Sequence, residues 1–111
     1  MLPTPTVEGR PVIARIATFE GGDAEEMRRR NNEMLVGRAG TELPPGILRV
    51  MVLMNEGESR WRVISFFDDA ETAAASEEQF ERLGDEIPES VRGKRVSLES
   101  FEVAFDVEMV R

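Results

Sequence analysis

The sequence Phe-Glu-Val-Ala-Phe-Asp-Val-Glu-Met at residues 101–109 places large apolar side chains at every second position, with Glu102, Ala104, Asp106 and Glu108 between them. A period of two is typical of a β-strand with one buried face. With residues 95–100 leading in, the predicted strand would be roughly 50 Å long at about 3.3 Å per residue. A compact domain of about 100 residues has a radius of gyration of only about 13 Å. The strand is therefore expected to bend at a bulge or to extend over a second copy of the chain, and the second option predicts a homodimer.

Three further stretches predict strands because they are rich in β-branched and aromatic residues. They are residues 12–20, 47–54 and 60–67, and the loop at 55–59 would join the last two as a hairpin. Helices are expected to begin at Asp23 and at Asp68, because each aspartate is followed three residues later by a glutamate, as in a capping box. Residues 85–93 would then connect to the last strand.

Each predicted helix carries an apolar stripe that would face the sheet. The first helix is expected to end near Gly40, and its stripe contains the polar Asn31 among Ala24, Met27, Met34 and Leu35. The second is expected to end near Gly84, and its stripe consists of Ala70, Ala73, Ala74, Phe80 and Leu83.

The order of these elements predicts the architecture. Strand, helix, strand, strand, helix, strand is the order of a ferredoxin-like βαββαβ domain, an α+β fold whose antiparallel sheet carries two helices on one face. The other face would be bare, and a second copy of the chain is the economical way to cover it. Residues 1–11 contain three prolines and are expected to form an extended N-terminal arm, with residues 12–111 as a single domain.

The composition excludes several classes of chemistry. The 111 residues include no His, Cys or Tyr, so His-based triads, thiol nucleophiles and Cys/His zinc sites cannot be built from this chain. Carboxylate-only metal sites have no spacing signal. We therefore expect no metal and no cofactor.

The net charge and the hydropathy of the sequence argue against nucleic-acid and membrane partners. A net charge of −8 does not suit binding to a phosphate backbone, so no nucleic-acid partner is expected. The basic cluster at 28–30 is interpreted as a solvated helix face paired with nearby glutamates. No apolar run approaches the roughly 20 residues of a membrane span, and no signal peptide is evident. We therefore expect a cytoplasmic protein without a membrane partner.

Five residues are candidates for a ligand site. Arg15, Arg49 and Arg62 each lie inside an apolar strand, where a covered charge needs a partner. Arg49 is expected to share a strand face with Ile47. Acidic residues, such as those of the last strand, could pair with these arginines from a neighbouring strand or across a dimer interface. Alternatively, the arginines could hold an anionic small molecule. Asn31 and Trp61 complete the set, Asn31 because its polar side chain would face the cleft between helices and sheet, and Trp61 as an aromatic anchor or pocket wall.

Three stretches carry a family resemblance: Val-Ile-Ala-Arg-Ile-Ala-Thr-Phe-Glu-Gly at 12–21, Arg-Val-Ile-Ser-Phe-Phe-Asp-Asp-Ala-Glu-Thr-Ala at 62–73, and Gly-Lys-Arg-Val-Ser-Leu-Glu-Ser-Phe-Glu-Val at 93–103. They resemble the opening strand, the third strand with its following helix, and the last strand of the dimeric α+β barrel superfamily, which includes the antibiotic-biosynthesis-monooxygenase (ABM) domains. The resemblance implies a homodimer whose two sheets form a barrel. Haem degradation in this superfamily depends on an Asn, a Trp and a haem-ligating His, so the lack of His argues against that activity here.

Three functional hypotheses follow. The first is an ABM-like protein that binds a small apolar or aromatic molecule in the helix–sheet cleft. The second is a cofactor-independent monooxygenase acting on an aromatic or quinone-like substrate. The third is a non-catalytic interaction module. The residues leave open whether the chain is an enzyme.

Overall fold

A four-stranded antiparallel sheet forms the centre of the computed structural model, which describes residues 6–7, 10–38 and 46–106. Two short strands, β1 (Thr6–Val7) and β2 (Arg10–Pro11), first pair with each other. The main sheet then consists of β3 (Ile13–Glu20), β4 (Ile47–Asn55), β5 (Arg60–Phe67) and β6 (Lys94–Glu102), in the spatial order β4-β5-β3-β6. This order, with helices between β3 and β4 and between β5 and β6, confirms the predicted ferredoxin-like α+β fold. The division between arm and domain after residue 11 stays a prediction.

The helices lie in the two crossover segments of the sheet. They are α1 (Ala24–Arg38), α2 (Ala70–Ala75), α3 (Glu77–Asp85) and α4 (Glu89–Arg92), and a 3-10 turn spans Glu56–Glu58. Asp23 caps α1 as predicted, since its Oδ1 accepts a hydrogen bond from the Glu26 amide at 3.1 Å. The predicted stop at Gly40 lies outside the described residues, and so do the side chains of Met34, Leu35 and Leu83.

The second helix differs from its prediction in two ways. Its N-cap is Asp69 rather than Asp68, because the Asp69 side chain accepts from the Thr72 amide at 2.7 Å. The single predicted helix is also broken at Ser76, whose hydroxyl donates to the Thr72 carbonyl at 2.8 Å and competes with the regular backbone pattern. Ala73 is the buried alanine of α2, and the predicted core residues Ala70 and Ala74 are exposed.

The last strand is shorter than its alternating pattern predicts, because it ends at Glu102 instead of near residue 109. One further bond joins the Val103 amide to the Val12 carbonyl at 2.9 Å. The preceding Pro11 belongs to the β1–β2 pair and has no N–H to continue the ladder. Residues 103–106 are therefore irregular, and 107–109 lie outside the described residues.

The sheet has a helix face and an open face. On the helix face, Phe67, Ile13 and Ala73 form a core cluster against which Ile47 and Phe80 pack. A register shift between Ile47 and Arg49 turns Ile47 to this face, so the prediction that it shares a face with Arg49 is wrong. The open face carries the side chains that alternate with these: Arg49, Met51, Leu53, Arg62, Ile64, Phe66, Ile16, Glu99 and Phe101.

Candidate functional site

Arg15 is the charged centre of the helix face. Arg15 is only 4% exposed. Its guanidinium forms an ion pair with both oxygens of the Glu77 carboxylate on α3, with an Nη2–Oε2 distance of 3.1 Å. The Cζ atom also lies 4.5 Å from the centre of the Phe80 ring, within the range of a cation–π contact. The partner of Arg15 is therefore on a helix, and the expectation that an acidic residue of a neighbouring strand pairs with it is wrong.

A polar row crosses the helix face at Arg15. Ser65 of β5 and Ser100 of β6 are its register neighbours on either side. Ser65 is fully buried, and its hydroxyl has no hydrogen-bond partner within the described part of the chain. Apolar side chains usually fill the layer between a sheet and its helices, so the buried Arg15 and Ser65 make this interior unusually polar, while Ser100 at the end of the row is exposed.

At the Ser100 end of this row, a groove opens between α2, the start of α3 and β6. Its volume is about 360 Å³. We call it the β6 cleft, and it is lined by Ile13, Ala70, Ala73, Ala74, Glu77, Ser100, Phe101 and Glu102. The alanines of α2 keep the groove open because their side chains are too short to reach β6. Polar groups stand at one side of an otherwise apolar wall, which is the composition of many small-molecule sites.

Trp61 serves as a packing anchor at the other end of the helix face. It is 6% exposed, stacks on Phe19 with ring centres 4.4 Å apart, and donates its indole N–H to the Arg92 carbonyl at 2.7 Å. The free volume beside it, bounded also by Met27 and Val91, is about 30 Å³, the space of roughly one water molecule. The indole therefore has little room for a planar ligand.

Asn31 is buried on α1, at 9% exposure, one turn after the fully buried Met27. The predicted orientation of this polar residue toward the sheet agrees with its burial. It does not contribute to the lining of the β6 cleft or to the space beside Trp61.

Arg49 and Arg62 lie on the open face, away from the other three candidates. Both are exposed, and within the described ranges neither has an ion-pair partner. Leu53 and Phe101 flank the same face at 46% and 51% exposure. The five predicted residues therefore do not form one site, because Arg15, Trp61 and Asn31 lie on the helix side of the sheet and the other two lie on its open face.

The basic cluster at 28–30 is balanced by acids on its own helix. Arg29 bonds Glu26 and Glu33, the latter at 2.6 Å, and Arg30 bonds Glu26 at 3.1 Å. Hydrogen bonds from Arg29 and Arg30 hold the pKa of the Glu26 carboxyl below its usual range, and the same contact raises the pKa of Arg29. These positive charges are therefore largely compensated locally.

The sequence reasoning missed Glu77 and Ser100 as site residues. Glu77 is 62 positions from Arg15, and its surroundings in the sequence look like any acidic helix start. The only available signal was Arg15 itself, since a charge in an apolar strand requires a partner. Ser100 could have been placed from its alternation with Phe101, had the register of β6 on β3 been known.

Comparisons with known proteins bear on the fold. No protein-family model and no curated protein matches the sequence. Among solved structures, a protein of Chloroflexus aurantiacus J-10-fl, described as a candidate antibiotic biosynthesis monooxygenase, superposes with a TM-score of 0.58 at 13% identity, over 87% of this chain and 97% of that one. The chain has an ABM-like α+β fold. The haem degrader MhuD of Mycobacterium tuberculosis, solved with two haems in its active site, gives a TM-score of 0.56 at 24% identity, over 88% of this chain and 100% of that one.

Two further observations concern the residues that the structure describes. Within residues 6–7, 10–38 and 46–106, no helix has both the length and the apolar character that a membrane span requires. Over the same ranges, no three His, Cys, Asp or Glu side chains converge in a way that could hold a metal ion.

Proposed function

We propose that this ABM-like protein binds a small, mainly apolar molecule in the β6 cleft. The observation that carries the proposal is the combination of volume and lining. About 360 Å³ lies within the range of roughly 300–1,000 Å³ typical of ligand pockets. Ile13 and three alanines supply the apolar wall, while Glu77 and Ser100 supply a few oriented polar groups. Of the five predicted residues, Arg15 adjoins this cleft through its ion pair with Glu77.

Filling the cleft should abolish binding without unfolding the protein. Ala74 is exposed and lines the cleft, so Ala74→Trp is expected to occupy it with an indole while leaving the buried core intact. We expect at least a tenfold loss of affinity for small aromatic probes, measured by ligand-detected NMR. Ala75→Trp is the matched control because Ala75 is also exposed on α2 but does not line the cleft. Equal binding by both variants would place the ligand elsewhere.

Catalysis in the same cleft is a second proposal. The described activity of the Chloroflexus neighbour and the apolar wall of the cleft support a cofactor-independent monooxygenase acting on an aromatic or quinone-like substrate. The haem degradation of MhuD is not proposed, because the chain contains no His, Cys or Tyr to ligate haem iron. A non-catalytic interaction module and the cytoplasmic location stay predictions.

The open face supports the proposal of a homodimer. It exposes apolar side chains, among them Leu53 and Phe101, that a monomer would leave in water. Its charges are complementary, with Arg49 and Arg62 on one half of the sheet and Glu99 on β6 at the opposite edge. A two-fold axis parallel to the strands would lay β6 of one protomer over β4 and β5 of its partner, and would so place Glu99 near the partner's arginines.

Arg62→Ala should weaken this dimer because it removes one of the proposed cross-interface pairs. We expect the fraction of dimer at low micromolar concentration to fall, as measured by native mass spectrometry. Arg82→Ala, on the exposed surface of α3 in the helix layer, should leave the dimer fraction unchanged. An unchanged dimer mass for Arg62→Ala would count against the ion-pair interface.

A further inference from the structure

We infer that the ligand of the β6 cleft carries a cationic nitrogen next to its apolar body, an inference that rests on the proposed function. The charged residues that line the cleft are both carboxylates, Glu77 and Glu102, and neither lysine nor arginine is among the lining residues. A ligand amine would meet acceptors only. The inference therefore names the ligand class as an apolar amine.

The two carboxylates have different roles. Glu77 is already neutralised, because both of its oxygens bond the buried Arg15 guanidinium. Glu102 is exposed at the end of β6 and has no ion-pair or hydrogen-bond partner within the described part of the chain. Since Glu102 and Ser100 are two residues apart on the same strand, both side chains lie on the helix face. They therefore present a carboxylate and a hydroxyl on the same wall of the cleft, and both groups can accept a hydrogen bond from an ammonium group.

An anionic ligand would fit less well. Its carboxylate would compete with Glu77 for the buried Arg15 guanidinium and would be repelled by the unpaired charge of Glu102. Arg95, toward the opposite end of β6, bonds Glu81 of α3 and does not line the cleft. The charge of the cleft after the Arg15–Glu77 pairing is therefore negative, and attraction favours a cation.

The test compares three probes that share a phenyl ring and a two-carbon chain: 2-phenylethylamine, 2-phenylethanol and the slightly larger 3-phenylpropionate. Binding is followed by two-dimensional NMR through the Ser100 amide and the methyl groups of Ala73 and Ala74. We expect the amine to bind about fivefold more tightly than the alcohol, near the upper limit for one solvent-exposed ion pair. Glu102→Gln should remove this preference, whereas Glu78→Gln, exposed on the first turn of α3 and outside the cleft lining, should preserve it.

The outcomes distinguish a failure of the cationic-ligand inference from a failure of the proposed binding site. Equal binding of amine and alcohol in the cleft would overturn the cationic ligand and leave the binding site standing. Tightest binding of the carboxylate would also overturn it, and would indicate that Glu77 yields Arg15 to the ligand. If none of the three probes shifts the cleft signals, while Ala74→Trp and Ala75→Trp also behave alike, the binding site fails together with the inference.

Discussion

Glu77→Ala is expected to lower the free energy of unfolding by about 3 kcal/mol, at the lower end of the cost of breaking a buried ion pair. The Arg15 side chain is 5% exposed, so without its partner its charge would be held in the protein interior. The Glu77 side chain is 38% exposed, which lets water reach the guanidinium after the substitution and keeps the cost from being larger. Urea denaturation followed by circular dichroism measures the change.

Two companion variants make this test specific to the ion pair. Glu78→Ala removes a neighbouring carboxylate from the same first turn of α3 and should cost less than about 0.5 kcal/mol, as for other surface positions. In the double variant Arg15→Met/Glu77→Ala, an apolar side chain replaces the buried charge, and most of the lost stability should return. If Glu77→Ala and Glu78→Ala unfold at the same urea concentration, Arg15 does not depend on Glu77.

Trp61→Ala is expected to be the most damaging single substitution, at about 4 kcal/mol, typical of truncating a buried tryptophan. It removes the stacked contact with Phe19 and also leaves the Arg92 carbonyl without its indole donor. Because Trp61 is the sole tryptophan, its fluorescence disappears with it, and circular dichroism must report unfolding.

Trp61→Phe divides this loss into its parts. A phenyl ring can still stack on Phe19 but cannot donate to Arg92, so the expected cost is about 1–2 kcal/mol, that of one unsatisfied buried group. Both variants should retain ligand binding in the β6 cleft, since Trp61 does not line it. A variant that stays fully stable but loses binding would reverse the structural role assigned to this residue.

The strands and their order could be predicted because their physical causes are local. Residues 60–67 are rich in β-branched and aromatic side chains, and β5 has the predicted bounds. The length of β6 could not be predicted in this way, because it depends on the strand beside it. The alternation continues past Glu102, but β3 offers no further hydrogen-bonding partner once the chain reaches Pro11. A side-chain pattern therefore indicates that a segment can form a strand, but the length of the strand depends on how far the neighbouring strand offers hydrogen-bonding partners.

The site was less predictable than the fold for a related reason. Arg15 was identified because a charge inside an apolar strand is conspicuous, yet its partner Glu77 comes from a helix start that has no distinguishing pattern. The β6 cleft is marked by what its alanines lack, which is side-chain volume. Small side chains leave a cleft only where another surface faces them, so the cleft could not be predicted before the position of Ser100 and Glu102 of β6 was known.

Because the helix is broken at Ser76, the α2 wall of the β6 cleft should be able to open locally while the rest of the protein stays folded. It leaves α2 with 6 residues and α3 with 9, and isolated helices this short do not persist in water. The two helices are therefore stabilised by packing against the sheet, through contacts such as that between Phe67 and Phe80. The amides of α2 should therefore exchange with solvent through a local opening that costs less than global unfolding. A molecule that binds only when α2 is folded would reduce the population of the opened state and slow amide exchange by the same factor. The protection of the α2 amides at a known ligand concentration would therefore report the binding affinity.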